Sequence, residues 1–306
     1  MTEVSKLKQP IVRHSASTGA GSPDVWGIYE PGTGSIQYIC ADPATKKAAL
    51  IDVVWNFDPS SFATSTESID QVLDLVRDNG LVVDRVLDTH PHADHVMAST
   101  LLKARTGAPN AIGEKVRDIA KLWRDIYNTP DAFDPDADFD DLFADGDSFA
   151  LGDLTVRVML SPGHTLGSIT YVCGNAAFVH DTFMQPDSGT ARADFPGGSA
   201  TDLWESLQAI LALPDDTRLF VGHDYGATGR DAPEWEATVA DHKAHNIHVS
   251  DGTEKAAYIK TRMDRDATLS LPQRMLAALQ INLRAGQLPA AEDDGAAYLK
   301  IPVDKF

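Results

Sequence analysis

The sequence contains only two cysteines, Cys40 and Cys173, among 306 residues. A framework of several disulfide bonds is therefore excluded by count. Both cysteines lie in apolar runs typical of strands, at residues 36–40 and 169–173. We expect two buried, reduced thiols, because unpaired cysteine behaves as a small hydrophobic side chain.

Long hydrophobic runs are also missing. No stretch is apolar enough over the length needed to cross a membrane, and residues 1–10 are polar, without the apolar segment of a secretory signal. We therefore expect a cytoplasmic protein that does not associate with a membrane. Hydrophobic residues make up 43% and charged residues 23% of the chain, as in globular proteins that bury a full core.

Basic residues are scarce. The chain has 26 of them against 45 acidic residues, which gives a net charge of −19. Such a protein repels nucleic acid and anionic lipid, so we expect no nucleic-acid partner. An anionic small substrate would need a local basic site.

Hydrophobic periodicity predicts alternating strands and helices. The predicted strands cover residues 35–42, 48–54, 82–87, 111–112, 155–160, 168–173, 176–180 and 218–221. The predicted helices cover residues 67–79, 96–105, 115–127, 203–213, 254–264 and 271–285. The stretch 131–147, rich in Asp and Phe, is interpreted as a solvated acidic loop. We expect a catalytic domain over 1–246 and a C-terminal helical extension over 247–306, packed on the domain or on a second subunit.

Candidate metal ligands follow the predicted strands. They are His90, His92, Asp94 and His95 after 82–87, His164 after 155–160, Asp181 after 176–179, and His223 after 218–221. Rigid strands of a layered α/β fold aim such residues at one edge of the sheet. Scattered surface histidines would not coincide with strand ends in this way.

The residue types suit a metal centre. Neutral imidazole and carboxylate are ligands for Zn²⁺ and Fe²⁺. His90 and His92, two residues apart on a turn, can bind one ion together, whereas Asp94 and His95 reach a neighbouring position. A carboxylate such as Asp181 can bridge two ions, so the full set is large enough for a two-metal site.

Four other histidines have less specific contexts. His180 is interpreted either as a hydrogen-bond donor to a metal ligand or as a buried histidine with no role in the site. His242, His245 and His248 have helical spacing and are expected at the surface or in an oligomer contact, not as ligands.

Several motifs together resemble the metallo-β-lactamase superfamily. They are the string Thr-His-Pro-His-Ala-Asp-His at 89–95, Pro-Gly-His-Thr at 162–165, the aspartate at a strand end, and Gly-His at 222–223. The resemblance runs from about residue 35 to residue 246. It implies an α/β fold, an αββα sandwich with the metal site at its edge, here with a C-terminal helical extension.

Two stretches resemble the persulfide dioxygenases more than the glyoxalase II thioesterases. The loop Gly-Thr-Ala-Arg-Ala-Asp-Phe at 189–195 is similar to the Gly-Cys-Gly-Arg-Thr-Asp-Phe of that family, with Thr190 in place of the cysteine. Gly-His-Asp-Tyr at 222–225 matches the family, where glyoxalase II usually has Gly-His-Glu-Tyr. The chain departs from the family at His180, where a glycine is usual.

This resemblance implies one Fe²⁺, held by His90, His164 and Asp181. The implied reaction consumes O₂ and a thiol persulfide, typically glutathione persulfide, and yields sulfite and the free thiol. The remaining candidate ligands would then orient these three and hold water; they are His92, Asp94, His95 and His223.

The resemblance also supplies candidate catalytic and substrate-binding residues. Asp94 and Tyr225 are the catalytic candidates, and Arg192 and Tyr225 are the substrate-binding candidates. Arg192 would pair with a substrate carboxylate, or else form a structural ion pair with Asp187 or Asp194. Tyr225 would contact the substrate or fix the loop of His223.

Two other functions are weighed against the dioxygenase. A glyoxalase II-like hydrolase would use all seven ligands to hold two Zn²⁺ ions, and a metal-bound hydroxide would attack a thioester. A non-catalytic sensor would have damaged ligands or a DNA-binding appendage, whereas the ligand set here is complete. The apolar residues Met275, Leu276 and Leu279 have two interpretations. Exposed, they would form the contact of a homodimer; buried, they would belong to the core of the domain.

Overall fold

The computed structural model describes Val4 and residues 7–306. Within these residues, no helix has the length and apolar character needed to cross a membrane. The strands are β1 (Ile11–Ser15), β2 (Asp24–Glu30), β3 (Ser35–Ala41), β4 (Lys47–Ile51), β5 (Val54–Phe57), β6 (Thr64–Ser65), β7 (Val82–Leu87), β8 (Val96–Met97), β9 (Asn110–Gly113), β10 (Asp141–Phe143), β11 (Ser148–Leu151), β12 (Leu154–Leu160), β13 (Ile169–Cys173), β14 (Ala176–His180), β15 (Arg218–Val221) and β16 (Glu236–Thr238). The helices are α1 (Glu67–Asp78), α2 (Ser99–Thr106), α3 (Val116–Tyr127), α4 (Pro135–Asp138), α5 (Ala200–Leu211), α6 (Val239–His245), α7 (Lys255–Asp266) and α8 (Met275–Asn282).

Two large sheets form the centre of the fold. The first has the order β1-β2-β3-β4-β7-β9-β10, antiparallel as far as β4 and parallel from there. The second has the order β11-β12-β13-β14-β15-β16, in which only β14 and β15 run parallel. Tyr38 and Ala49 of the first sheet and Tyr171 and Phe178 of the second belong to one buried cluster. Both cysteines lie in this cluster as free thiols, as predicted.

Helices cover the outer faces of both sheets. α1, α2 and α8 share a buried cluster with residues of the first sheet, including Ile39 and Leu50. α5, α6 and α7 contribute residues such as Leu207 and Tyr258 to the cluster of the second sheet. Every residue of β3 is buried, which requires cover on both faces of the sheet. The predicted αββα sandwich with C-terminal helices is therefore confirmed.

The acidic stretch 131–147 was wrongly interpreted as a solvated loop. It contains α4 and β10, and β10 pairs in parallel with β9 at the edge of the first sheet. Phe133 and Phe139 are buried in a third cluster, and Asp140 accepts the backbone N–H of Asn110 at 3.0 Å. The high charge concealed buried aromatic residues, whose spacing does not follow a regular period.

The sequence analysis also missed β1 and β2. β2 is almost entirely buried, but Gly27 interrupts its hydrophobic pattern. A Cβ at this position would lie 2.1 Å from the Nε1 atom of Trp235, so the indole ring fills the space that a side chain would need. The glycine that weakens the strand signal is thus required by a contact between residues far apart in the chain.

The C-terminal helices pack on the same body as the sheets. Met275 and Leu279 are buried with Met97 and Ile112 in the third cluster. These apolar residues are core, so the observation that suggested a homodimer no longer supports one. The division of the chain at residue 246 stays a prediction.

Asn282, at the end of α8, holds the loop that carries four of the candidate ligands. Its Nδ2 donates to the carbonyls of His92 and His95, both at 2.8 Å. Its Oδ1 accepts the backbone N–H of Met97 at 2.8 Å. The side chain is fully buried, so these hydrogen bonds have no competition from water.

Replacing Asn282 with leucine should lower the free energy of unfolding by about 2–4 kcal/mol. Leucine has a similar volume, but it leaves three buried backbone groups without a hydrogen-bond partner. Urea denaturation of the metal-free protein measures this change. The matched control is Asn79→Leu at the exposed end of α1, which should shift the free energy by less than about 0.5 kcal/mol. Equal stabilities for the two variants would contradict the assigned role of Asn282.

Candidate metal centre

The candidate ligands lie where the two sheets meet at one edge. Ser35 and His223 form an isolated antiparallel bridge between the sheets. Ile36 donates its N–H to the carbonyl of Gly222 at 2.8 Å. Because β4, β7, β12, β14 and β15 all end near this junction, the loops after them converge.

The carboxylate of Asp181 is at the centre of the cluster. Its Oδ2 lies 3.8 Å from Nε2 of His90, 3.5 Å from Nε2 of His164 and 3.3 Å from Nε2 of His223. Nε2 of His223 is also 3.4 Å from Oδ2 of Asp94. One carboxylate oxygen therefore faces three imidazoles from three different loops.

His92 and His95 complete the group. The ring of His92 lies 4.2 Å from that of His90 and 4.1 Å from that of His95, measured between centroids. Oδ2 of Asp94 is 3.1 Å from Nδ1 of His95 and accepts a hydrogen bond from the Ser35 hydroxyl at 3.0 Å. The structure thus brings the seven predicted ligands close to one another: six of them belong to overlapping groups that could hold a metal, and His164 joins them through Asp181, with Asp94 slightly more exposed than the rest.

The cluster fits a metal ion because its inward ring nitrogens have no hydrogen-bond partner among the described residues. These atoms are Nε2 of His90, Nδ1 of His92, Nε2 of His95 and Nε2 of His223. Buried polar atoms without partners are rare and costly in folded proteins. Imidazole nitrogens and carboxylate oxygens are the donors that Zn²⁺ and Fe²⁺ accept, so a bound ion would satisfy these atoms.

Asp52, directly after β4, determines which ring nitrogen of His90 and of His92 is available to bind a metal. Its Oδ1 lies 2.9 Å from Nε2 of His92, which therefore carries the proton and leaves Nδ1 with a lone pair. Its Oδ2 accepts the hydroxyl proton of Thr89 at 2.9 Å. The Thr89 oxygen can then accept from Nδ1–H of His90 at 3.1 Å, which leaves Nε2 of His90 free to bind a metal.

His164 is oriented by a different partner. Its Nδ1 lies 2.8 Å from the carbonyl oxygen of Arg192, to which it must donate. The lone pair of Nε2 therefore points toward Asp181. This hydrogen bond connects a candidate ligand directly to the loop 189–195.

The surroundings of His90, His92 and Asp181 favour the protonation states in which these three residues can bind a metal. Burial lowers the pKa of His90 and His92 well below the usual value for histidine, and neighbouring histidines lower it further. Burial alone would raise the pKa of Asp181, but the facing His223 and His180 hold it well below the usual value. Neutral imidazoles and an ionised carboxylate are the states that coordinate a metal.

Comparison with known proteins identifies the family. The profile of the Metallo-beta-lactamase superfamily matches residues 32–223. The chain belongs to the metallo-β-lactamase superfamily. The chain is 53% identical over 283 residues to a beta-lactamase hydrolase-like protein of Xylella fastidiosa. The aligned region covers 92% of this chain and 65% of that protein. The chain therefore spans less than two thirds of the length of that relative.

Other relatives match over nearly their whole length. A probable metallo-hydrolase of Burkholderia pseudomallei is 43% identical, with 92% of this chain and 99% of that protein covered. The mitochondrial persulfide dioxygenase ETHE1 of Homo sapiens is 28% identical over 89% of this chain and 93% of that protein. The crystal structure of ETHE1 from Myxococcus xanthus superposes with a TM-score of 0.67 at 28% identity, covering 90% of this chain and all of that one.

His180 lies directly beside the candidate ligands. The residue is buried, with a φ of 36°, and its ring lies between two carboxylates. Its Nε2 is 3.4 Å from Oδ2 of Asp52, and its Nδ1 is 3.3 Å from Oδ1 of Asp181. Neither ring nitrogen of His180 has a hydrogen-bond partner among the described residues, and His180 belongs with His90, His92 and Asp181 to one group that could hold a metal.

The two candidate substrate residues both border a cavity of about 570 Å³ in front of the cluster. Arg192 donates from Nε and Nη2 to the carboxylate of Asp194, at 2.6 and 2.8 Å, and from Nη1 to the carbonyl of Ser270. The structural ion pair is therefore present, and it occupies the face that would bind a substrate carboxylate. Tyr225 stacks on His223 at 5.3 Å, which fixes that loop, and it also lines the cavity.

The later histidines are not all at the surface. His242 is fully buried, and its ring packs edge-on against Phe183 at 4.7 Å. Burial lowers its pKa to about 4. His248 accepts the N–H of Thr190 at 3.0 Å. Only His245 has the predicted exposure, because α6 turns one face toward the core.

Asp52, Thr89 and Ser35 were missed as contributors to the site. Asp52 directly follows β4, but the predicted strand ran on to residue 54, so the strand-end rule that selected the ligands did not select it. Ser35 reaches Asp94 only because β3 meets the loop of His223 across the two sheets, and no signal in the sequence shows that junction.

Changing Asp52 to asparagine should weaken metal binding by about 10–100-fold. The carboxylate accepts hydrogen bonds from both His92 and Thr89, whereas an amide has only one terminal atom that can accept. Competition with a chromophoric chelator measures the affinity. Asp42→Asn is the control. Asp42 is also buried and accepts the hydroxyl of Thr45 at 2.6 Å, but it follows the end of β3 that lies away from Ser35 and the cluster. Similar affinities for the two variants would refute the role given to Asp52.

A second prediction concerns the contact between Gly222 and His180. A Cβ on Gly222 would lie 2.3 Å from the His180 ring, so Gly222→Ala should cost about 1–3 kcal/mol of unfolding free energy. In a His180→Gly background the space is vacant, and the same alanine should cost much less. Chemical denaturation of the four proteins gives the coupling energy. An alanine penalty that is equal in both backgrounds would show that the ring does not cause it.

Proposed function

We propose that the protein is a non-haem iron persulfide dioxygenase. In the proposed reaction a thiol persulfide, O₂ and water yield the free thiol and sulfurous acid, which ionises to sulfite. The outer sulfur is oxidised, O₂ is reduced, and the sulfur–sulfur bond is broken. Glutathione persulfide is the substrate that we propose.

The observation that carries the proposal is the connection between a candidate ligand and the loop 189–195. His164 donates to the carbonyl of Arg192 at 2.8 Å, and Arg192, which is paired with Asp194, forms part of the cavity wall. This loop contains the Arg-x-Asp-Phe sequence that resembles the persulfide dioxygenases. The ring of Phe195 lies 5.3 Å from that of His164 and 4.7 Å below the Arg192 guanidinium. The loop and the ligand therefore support each other's position.

We propose that His90, His164 and Asp181 hold the iron. Two histidines and one carboxylate on a single ion leave coordination positions open, and iron bound there would supply the redox chemistry that O₂ needs. Asn282 and Asp52 fix the backbone and the tautomers of the His90–His95 loop. The site is thus preorganised by groups that do not themselves need to touch the ion.

The other polar residues have supporting roles in this proposal. The pKa of Asp94 would be raised by burial, but His223 and His95 hold it well below its usual value. Asp94 therefore stays a carboxylate that can hold a water or accept a proton at the cavity floor. Tyr225 keeps His223 in place and forms one edge of the substrate cavity.

A binuclear thioester hydrolase is the second candidate. Oδ2 of Asp94, Oδ2 of Asp181 and Nε2 of His223 lie close enough together to bind a second ion, which would be Zn²⁺ in this alternative. The similarity to a probable metallo-hydrolase of Burkholderia pseudomallei also favours this candidate.

Oxygen consumption distinguishes the two functions. The protein purified without oxygen and loaded with Fe²⁺ should consume O₂ when glutathione persulfide is added and release one sulfite per O₂. His164→Ala should reduce the rate at least about 100-fold, because it removes a proposed ligand and the connection to the loop. A parallel assay follows hydrolysis of S-lactoylglutathione by the zinc-loaded protein.

His245→Ala is the control, because this histidine is exposed and outside the cluster; it should retain the full rate. Thioester hydrolysis without O₂ uptake would reject the dioxygenase and favour the two-metal hydrolase. Metal analysis supplies a second measure, since the dioxygenase is expected to bind one iron per chain.

A further inference from the structure

The cavity in front of the metal cluster has three arginines in its wall: Arg192, Arg262 and Arg265. Two of them are already paired. Arg192 binds Asp194 through two nitrogens, and Arg262 binds Asp266 through Nε and Nη2 at 2.9 and 2.6 Å. Their charges are balanced inside the protein.

Arg265 differs from both. It lies near the end of α7, it is exposed, and its guanidinium forms no ion pair with any residue in the described part of the chain. Asp187, an acidic residue of the same wall, is paired with Arg230 at 2.5 Å. Arg265 is therefore the cavity arginine whose charge remains available to a ligand.

From this arrangement we propose that Arg265 binds a carboxylate of the substrate and selects anionic thiols. The proposal rests on the proposed function and names the residue that recognises its substrate. A protein with a net charge of −19 repels anions, so an anionic substrate needs a local cation. Guanidinium binds carboxylate through two parallel hydrogen bonds, which suits this task.

The rest of the cavity agrees with a peptide-sized thiol. Its volume of about 570 Å³ lies within the range of small-molecule sites. The candidate ligands His164 and Asp181 line the cavity together with Arg265, and Ile247, Leu269 and Pro272 supply apolar surface. A thiol with a terminal carboxylate can thus place its sulfur at the metal and its carboxylate at α7.

A buried network holds α7 in this position. Arg262, one turn before Arg265, donates from Nη1 to the carbonyl of Thr190 at 2.8 Å. The hydroxyls of Tyr258 and Thr190 are 3.1 Å apart. The helix is therefore attached to the loop 189–195, whose Arg192 carbonyl orients His164. The substrate carboxylate and a proposed metal ligand are positioned by one connected unit.

The test measures binding of glutathione to the metal-loaded protein by calorimetry without oxygen, so that it does not depend on turnover. Arg265→Gln should weaken binding of glutathione about tenfold, and raising the salt concentration should weaken binding to the wild type more than to the variant. Glutathione with both carboxylates esterified should bind the wild type and the variant equally. With active enzyme, KM for glutathione persulfide should rise about tenfold while kcat changes little.

Lys260→Gln is the matched control, because Lys260 is an exposed cation on the same helix that does not line the cavity. It should bind glutathione like the wild type. Equal glutathione affinities for Arg265→Gln and the wild type would overturn the proposal, as would an equal loss for glutathione and its diester. If the wild type consumes no oxygen but its glutathione binding depends on Arg265, the dioxygenase function fails and the recognition of an anionic thiol stands.

Discussion

The buried carboxylate of Asp52 is the group on which the geometry of the metal cluster depends. It accepts the proton of His92 directly and reaches His90 through the hydroxyl of Thr89. A histidine without such a partner could present either ring nitrogen, and the imidazole lone pairs of the cluster would then no longer point toward the same position. Burial raises the cost of leaving any of these groups unpaired, so the network holds only when it is complete.

Residues beyond 246 lie outside the region that matches the superfamily profile, and they contribute to the site in two ways. Asn282 bonds the backbone of the His90–His95 loop, and α7 forms part of the cavity wall. The same segment therefore contributes to the precision of the cluster and to the shape and charge of the space in front of it. In this chain the C-terminal helices belong to the functional unit.

The sequence predicted that seven candidate metal ligands would lie at one edge of the fold, and the structure brings their side chains together. Each candidate follows a strand, and strands in a layered fold deliver their end residues to a common edge, so the spacing was enough to predict the cluster. The sequence left two interpretations of Arg192 open, a substrate contact and an ion pair, and the structure shows the ion pair with Asp194. His242 was misplaced because the buried face of a short helix depends on its neighbours.

The sequence alone determined the superfamily and the identity of the candidate ligands, because these depend on motifs at strand ends, and the αββα sandwich followed from the family resemblance that those motifs carry. Only the tertiary structure decided which atoms of those ligands are free, that Ser35, Asp52 and Asn282 support them, and that Arg265 is the arginine of the cavity wall without an ion pair to any residue that the structure describes. These features are contacts between residues far apart in the chain, and hydrogen bonds between such residues leave no repeating signal in the sequence.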